Sequence, residues 1–133
     1  ILGLTRGANR AHIVRAALES LAFQVADLVG AMEADAGFPF RELHVDGGAS
    51  ANDFLMQFQS DVLSCELHRP ACLETTALGA AYLAGLSGGF WKNVDELSAL
   101  HADGTRFAPQ MADETRESLL EGWHQAVRAV MVH

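Results

Sequence analysis

The sequence predicts a mixed α/β domain, and three observations support this prediction. Half of the 133 residues are hydrophobic and a fifth are charged, a composition that can bury a core. A short apolar run at residues 43–45 and an alternating run at residues 65–69 flank a helical segment that ends near Leu63. Strand, helix and strand within about thirty residues are typical of a βαβ unit with parallel strands. A long helical pattern precedes this unit, and further helical patterns follow it.

The long helix is predicted over residues 10–35. Asn9 is a suitable N-cap, and Gly37 followed by Pro39 ends the pattern. Apolar residues recur at steps of three and four and form one stripe, wide enough to favour a globular core over a coiled-coil seam. We therefore expect this helix to be a buried scaffold. The stripe consists of Val14, Leu18, Leu21, Val25, Leu28 and Met32, and the residues beside it that widen it are Ile13, Ala17, Ala22 and Val29.

A second helix rich in alanine and glycine is predicted over residues 75–86. An interior glycine costs about 1 kcal/mol relative to alanine, so Gly79 is expected to have a steric reason. We expect a neighbouring helix or sheet to pack very close to this small-residue face, and direct contact with a ligand is the alternative.

The remainder of the chain predicts shorter elements before a final helix. Residues 88–91 form a loop with exposed or half-buried aromatic side chains, and residues 94–97 start a short helix. Residues 101–104 are predicted to form a turn, and residues 107–109 an extended connector. Asp113 is expected to cap an amphipathic helix that runs to Met131.

The stretch around Gly47 and Gly48 is the main candidate site. It joins the predicted strand at residues 43–45 to the next helix, and two glycines allow a sharp turn and close approach of another group. The first amides of a helix lack intrahelical partners and favour an anion, such as a nucleotide phosphate. Two interpretations are open at this point: a glycine turn with Ser50 or Asn52 capping the helix, or a ligand site.

Charge and hydropathy exclude several classes of partner. The net charge is −8 and there is no run of Lys or Arg, which argues against nucleic acid and anionic membrane surfaces. No apolar run approaches 18 residues, so no membrane span is predicted. Cys65 and Cys72 are interpreted as reduced thiols of a cytoplasmic protein.

No catalytic or metal-binding motif is present in the sequence. The six histidines are scattered, and there is no HExxH, GxSxG, CxxC or Walker lysine. The sequence therefore offers a possible nucleotide cradle without an evident catalytic group.

Six segments are distinctive, at residues 3–9, 12–20, 46–61, 69–70, 76–85 and 89–91. They resemble the FGGY family of carbohydrate kinases, and its glycerol kinases in particular. The resemblance implies an α/β, actin-like ATPase (ribonuclease H-like) fold, with ATP between two domains. It also implies MgATP-dependent phosphorylation of glycerol to sn-glycerol 3-phosphate.

The resemblance implies roles for three residues. Gly47 would permit the turn, Gly48 would approach the nucleotide through its backbone, and Asn52 would hydrogen-bond the nucleotide. Residues 1–133 would form the C-terminal, nucleotide-side portion of the second kinase domain, without its first antiparallel strands. The catalytic aspartate, the glycerol-binding residues and the Mg²⁺ ligands are expected upstream of Ile1, so the chain alone is expected to be inactive.

Two alternatives to a glycerol kinase stay open. One is another FGGY kinase, acting on a pentulose, and the other is a non-catalytic actin-like domain for nucleotide binding or interaction. The parent protein is expected to be a homo-oligomer. We expect this chain to self-associate, because the strand at residues 43–45 would expose a pairing edge and an apolar face.

Overall fold

The computed structural model describes residues 1–98, 100 and 104–131. Within these residues, five α-helices alternate with three short β-strands. The predicted turn at residues 101–104 lies mostly outside the described residues. The elements are α1 (Arg10–Ala36), β1 (Glu42–His44), α2 (Asp53–Leu63), β2 (Glu66–Arg69), α3 (Thr75–Ser87), α4 (Val94–Ser98), β3 (Thr105–Phe107) and α5 (Asp113–Met131).

The three strands form one mixed sheet in the order β1-β2-β3. β1 is parallel to β2, with Leu43 opposite Leu67, which confirms the predicted βαβ unit. β3 is antiparallel to β2, and Phe107 also lies opposite Leu67. No strand is predicted here from the sequence, and β3 takes in Phe107, the first residue of the predicted connector at 107–109, because residues 105–107 pair with β2. The strands meet closely at Gly104, where an added Cβ would lie 1.9 Å from the carbonyl oxygen of Arg69.

Both ends of α1 form where the sequence predicts them. The side-chain oxygen of Asn9 accepts from the backbone N–H groups of Ala11 and His12, at 2.9 and 3.3 Å. Gly37 ends the helix with φ of 78° and donates its N–H to the carbonyl oxygen of Glu33. The N-cap and the left-handed glycine are therefore the local signals that fix this helix.

The buried face of α1 includes Ala22 and Val29, two of the residues predicted to widen the apolar stripe, but most of the stripe itself is not buried. Ala22, Phe23 and Val29 are the buried residues of this helix. α1 packs chiefly on α2, and its 27 residues extend over about 40 Å while the 11 residues of α2 extend over about 16 Å. The shorter helix covers only part of the longer one, so most of the predicted stripe is not enclosed. Its exposed members are Val14, Leu21, Leu28 and Met32.

The hydrophobic core lies between one face of the sheet and helices α1, α2 and α5. Phe23 of α1 meets Phe58 of α2 edge-on at 5.5 Å between ring centroids and stacks on Trp123 of α5 at 5.4 Å. The Trp123 indole N–H also donates to the Asp27 carboxylate at 2.8 Å. The ring contacts of Phe23 with Phe58 and with Trp123 therefore join the three helices. The buried residues of the cluster are Ala22, Phe23, Leu55, Met56, Phe58, Val62, Cys65, Leu67 and Phe107.

The prediction for the small-residue helix, α3, is wrong in its detail. No residue of α3 is buried, and no atom lies within 4 Å of a Cβ added at Gly79. The glycine with a steric reason is Gly85, where an added Cβ would lie 2.0 Å from the Trp91 ring. The loop residue Trp91, and not another helix or the sheet, is the close neighbour.

The exposed apolar surface also differs from the prediction. β1 pairs only with β2 within the described residues and so has an unpaired edge, but Leu43 and Val45 pack partly buried against the core. Some of the exposed apolar residues, including Leu2, Leu4 and Val130, border an open groove of about 1050 Å³ between the N-terminal segment, α1 and α5. Ile1 and Met131 both line this groove and are 92% and 79% exposed.

Candidate functional site

The candidate site begins where the chain leaves β1. The Val45 N–H still donates to the carbonyl oxygen of His68 at 2.9 Å, which continues the β1–β2 pairing past the strand end. Gly47 then adopts φ of 79° and ψ of 173°, a backbone region open essentially to glycine alone. Its N–H donates to the carbonyl oxygen of Leu73 at 3.1 Å. Gly47 therefore makes the turn out of the sheet.

A short 3-10 turn, Gly48–Ala51, separates Gly47 from α2. The helix does not open directly after the glycines, because Ser50 closes a tighter turn. The N–H and the hydroxyl of buried Ser50 donate to the Gly47 carbonyl oxygen, at 3.1 and 2.7 Å. In a trans peptide the next N–H points the opposite way, so the Gly48 N–H is directed away from Ser50. Gly48 is exposed, and no atom lies within 4 Å of an added Cβ.

Asn52 begins α2 as its N-cap. Its side-chain oxygen accepts from the Leu55 N–H at 3.2 Å, and its backbone is extended, with φ of −86° and ψ of 104°. The capping interpretation is therefore correct for Asn52, whereas Ser50 bonds back to Gly47. Because the cap uses Oδ1, a ligand would meet the Nδ2 amino group of the half-buried Asn52 side chain.

Two side-chain contacts join this turn to the rest of the fold. Thr75, the first residue of α3, donates its hydroxyl to the Asp46 carboxylate. Arg69, the last residue of β2, donates from Nη1 to the Ser50 carbonyl oxygen and to Asp53 Oδ1, each at 2.7 Å. No site role is predicted for Arg69 from the sequence. An arginine that ends a strand just before a proline is the only local signal of it.

The fixed charges beside the turn do not by themselves form an anion site. Asp46 and Asp53 are acidic, and the nearby guanidinium of Arg69 is paired with Asp53. Positive potential for an anion would therefore come from backbone amides at the turn and at the start of α2.

The two cysteines have different environments. Cys65 is buried, and its burial, reinforced by the charge of Glu33, raises the pKa of its thiol. Cys72 is exposed, and neither cysteine forms a disulfide. Cys65 is therefore an inert core thiol, whereas Cys72 lies one residue before Leu73, the residue that accepts the Gly47 N–H.

The described residues lack two other kinds of feature. Across 1–98, 100 and 104–131, no group of three or more His, Cys, Asp or Glu side chains is placed to hold a metal ion. No helix in that part of the chain combines the length and the apolar character needed to cross a bilayer.

A three-stranded mixed sheet with a glycine turn leading into a capped helix is compatible with a nucleotide-binding α/β domain. The model of the C-terminal domain of the FGGY family of carbohydrate kinases matches residues 1–88. The chain therefore belongs to this family.

Relatives in sequence and in structure include several glycerol kinases. Over 131 residues, or 98% of the chain, it is 59% identical to a glycerol kinase of Clostridium botulinum and 56% identical to one of Desulfitobacterium hafniense. The chain spans 26% of the length of each.

Solved structures show the same fold in other FGGY kinases. The crystal structure of Plasmodium falciparum glycerol kinase with ADP matches 96% of the chain, with a TM-score of 0.81 and 36% identity, and the match covers 26% of that chain. A xylulose kinase of Rhodospirillum rubrum matches with a TM-score of 0.72 and 28% identity, over 97% of this chain and 26% of that one. The fold is thus that of the actin-like ATPase class to which these kinases belong.

Proposed function

We propose that this chain is the nucleotide-side part of the C-terminal domain of a glycerol kinase, and that its glycine turn contacts the adenine nucleotide. The observation that carries the proposal is the exposed backbone of Gly48, with open space beside it. It follows a turn that essentially only glycine can make. The similarity to a glycerol kinase solved with ADP supports the same assignment.

Three residues have proposed roles in this site. Gly47 sets the direction of the turn, Gly48 receives the nucleotide against its backbone, and the Asn52 Nδ2 group donates a hydrogen bond to it. A side chain at position 48 would fill the space beside the backbone, whereas glycine leaves it open.

The proposed reaction is transfer of the γ-phosphoryl group of MgATP to a terminal hydroxyl of glycerol. The described residues supply no cluster suited to Mg²⁺, and none of them is assigned to glycerol binding or proton abstraction. Phosphoryl transfer needs positioned groups on both sides of the phosphates. We therefore expect the 133-residue chain to bind nucleotide without phosphorylating glycerol.

Sequence identity favours glycerol over a pentulose as the substrate of the whole enzyme. The chain is 56–59% identical to glycerol kinases but 28% identical to the xylulose kinase of R. rubrum. A non-catalytic nucleotide-binding domain is the alternative of a different class. An enzyme that contains this chain and releases ADP only in the presence of glycerol would exclude both alternatives.

Calorimetric titration of the chain with ADP tests the nucleotide site. We expect saturable binding that a Gly48→Val variant weakens, and absence of saturation at millimolar ADP would contradict the proposal. A coupled assay for ADP release with glycerol and MgATP tests the expected inactivity. Turnover by the chain well above that of the Gly48→Val variant would overturn that expectation.

The location and assembly of the protein are further parts of the proposal. Two free cysteines fit a reducing cytoplasm, where glycerol metabolism would place the enzyme, and the whole kinase would be a homo-oligomer. The unpaired edge of β1 and the apolar groove between α1 and α5 support self-association of this chain. Light scattering after size exclusion tests this, and a monomer at all concentrations would contradict it.

A further inference from the structure

Arg69 occupies an unusual place behind the glycine turn. Its side chain is only 15% exposed, and it reaches groups that are distant in sequence. Nη1 donates to the Ser50 carbonyl oxygen and to Asp53 Oδ1, both at 2.7 Å. Nη2 donates to the Thr105 hydroxyl at 3.3 Å. One guanidinium therefore joins β2, β3, the 3-10 turn and the first residue of α2.

The residues that Arg69 contacts lie on both sides of Asn52, one of the residues proposed to bind the nucleotide. Ser50 and Asp53 lie on either side of Asn52, so both flanks of this residue are held by one side chain. Ser50 in turn holds the Gly47 carbonyl oxygen through its N–H and hydroxyl. A continuous chain of hydrogen bonds thus leads from Arg69 through Ser50 to Gly47, whose peptide directs the Gly48 N–H outward.

The guanidinium itself is held by the sheet. Its central carbon lies 5.1 Å from the centroid of the Phe107 ring, a distance suited to a cation–π contact. The backbone of Arg69 is also fixed by pairing with Thr105. The Arg69 side chain therefore fixes the turn relative to the end of β2.

We propose that Arg69 is a positioning residue that holds the turn from Gly47 to Asn52 in its nucleotide-binding shape before the nucleotide arrives. This inference rests on the proposed function, because it concerns the same site. Arg69 touches no proposed nucleotide contact directly. It acts through the Ser50 carbonyl and the start of α2.

The two contacts from Nη1 differ in importance. The Asp53 side chain is 75% exposed, and an ion pair to so exposed a carboxylate contributes little. Ser50 is 2% exposed, so losing the donor would leave its carbonyl unsatisfied away from water. Lysine cannot replace this arrangement, because one ammonium lacks the planar fork that serves Ser50 and Thr105 together.

The test compares Arg69→Met and Arg69→Lys with two controls. Arg106→Met removes the same charge from the neighbouring strand, where the side chain is 72% exposed and pairs with Glu66. Val62→Ala destabilises the core through α2, because Val62 is 2% exposed, without touching the turn contacts. Amide hydrogen exchange over residues 47–55 is measured without nucleotide, and ADP affinity is measured by calorimetry below the unfolding temperature of every variant.

We expect Arg69→Met to raise exchange locally over residues 47–55 and to weaken ADP binding by about tenfold or more, the effect of losing one charge-assisted hydrogen bond. Arg69→Lys should fall between Arg69→Met and wild type. Arg106→Met should match wild type in both measurements. Val62→Ala should raise exchange throughout the core while leaving ADP affinity within about twofold, because it loosens the core without altering the turn.

Two results would overturn the inference. One is unchanged exchange over residues 47–55 in Arg69→Met, and the other is faster exchange there with ADP affinity equal to wild type. If the wild-type chain bound no ADP, the proposed function would fail. The exchange measurement, made without nucleotide, would still show whether Arg69 holds the turn.

Discussion

Substituting alanine at Gly47 and, separately, at Gly48 distinguishes two roles of the turn. One role is to hold the backbone shape, and the other is to contact the nucleotide. Gly47 has φ of 79°, whereas Gly48 is outside the positive-φ positions and has no atom within 4 Å of an added Cβ. Gly47→Ala should therefore strain the backbone. Gly48→Ala should leave the free protein undisturbed.

The expected magnitudes differ in stability and in binding. An L-residue forced into the Gly47 conformation costs about 1–3 kcal/mol, and each kcal/mol lowers the midpoint of thermal unfolding by about 3–5 °C in a chain of this size. Gly48→Ala should be neutral, or more stable by up to about 1 kcal/mol, because alanine restricts the unfolded chain. Its methyl group projects into open space, where the nucleotide would approach.

Thermal unfolding and ADP titration of the two variants form the assay. We expect Gly47→Ala to unfold at a clearly lower temperature. We expect Gly48→Ala to unfold at or slightly above the wild-type midpoint while its affinity for ADP falls about tenfold, which corresponds to about 1.4 kcal/mol. The reasoning would be refuted if Gly48→Ala bound ADP as wild type does, or if Gly47→Ala were as stable as wild type.

Four further predictions concern the rest of the fold. A thiol reagent should label Cys72 rapidly and Cys65 only after unfolding, and equal rates would contradict the burial of Cys65. Burial raises the pKa of the Cys65 thiol, so the contribution of this thiol to stability is complete below its unfolded-state pKa and is lost as the pH rises above about 9. When urea unfolding is compared at neutral and at alkaline pH, the free energy of unfolding should therefore fall less for Cys65→Ala than for the wild type. Asp27→Ala removes the carboxylate that joins α1 to α5 and should lower the free energy of unfolding by about 1–2 kcal/mol, whereas no change would mean that the contact is absent in solution. Gly85→Ala should clash with Trp91 and change the tryptophan fluorescence, while Gly79→Ala should not.

The parts of the fold that local signals define could be predicted from the sequence. The Asn9 cap and Gly37 fix α1, and the strand–helix–strand pattern fixes the parallel pairing of β1 with β2. Each of these signals lies within the element that it defines or directly beside it. The resemblance to FGGY kinases added the fold class.

The features that the sequence did not predict depend on distant neighbours. The buried face of α1 is chosen by where the shorter α2 lies against it, and periodicity alone cannot show this. β3 forms because residues 105–107 meet β2, and the glycine that matters in α3 is the one that meets Trp91. In each case the deciding contact is tertiary.

The candidate site shows the same division. Gly47, Gly48 and Asn52 lie close together in the chain, so their pattern alone indicates a turn and a cap. Arg69 reaches partners 19, 16 and 36 positions away. Only the packing of the sheet against α2 reveals that it supports the turn.

Amide NMR during titration with ADP tests the central claim most directly. The account predicts that ADP saturably shifts the backbone signals of Gly47 and Gly48 and the side-chain amide signal of Asn52, while signals from the α1–α5 groove do not move. Signals at these three residues that stay unchanged at saturating ADP, or shifts confined to another surface, would contradict it.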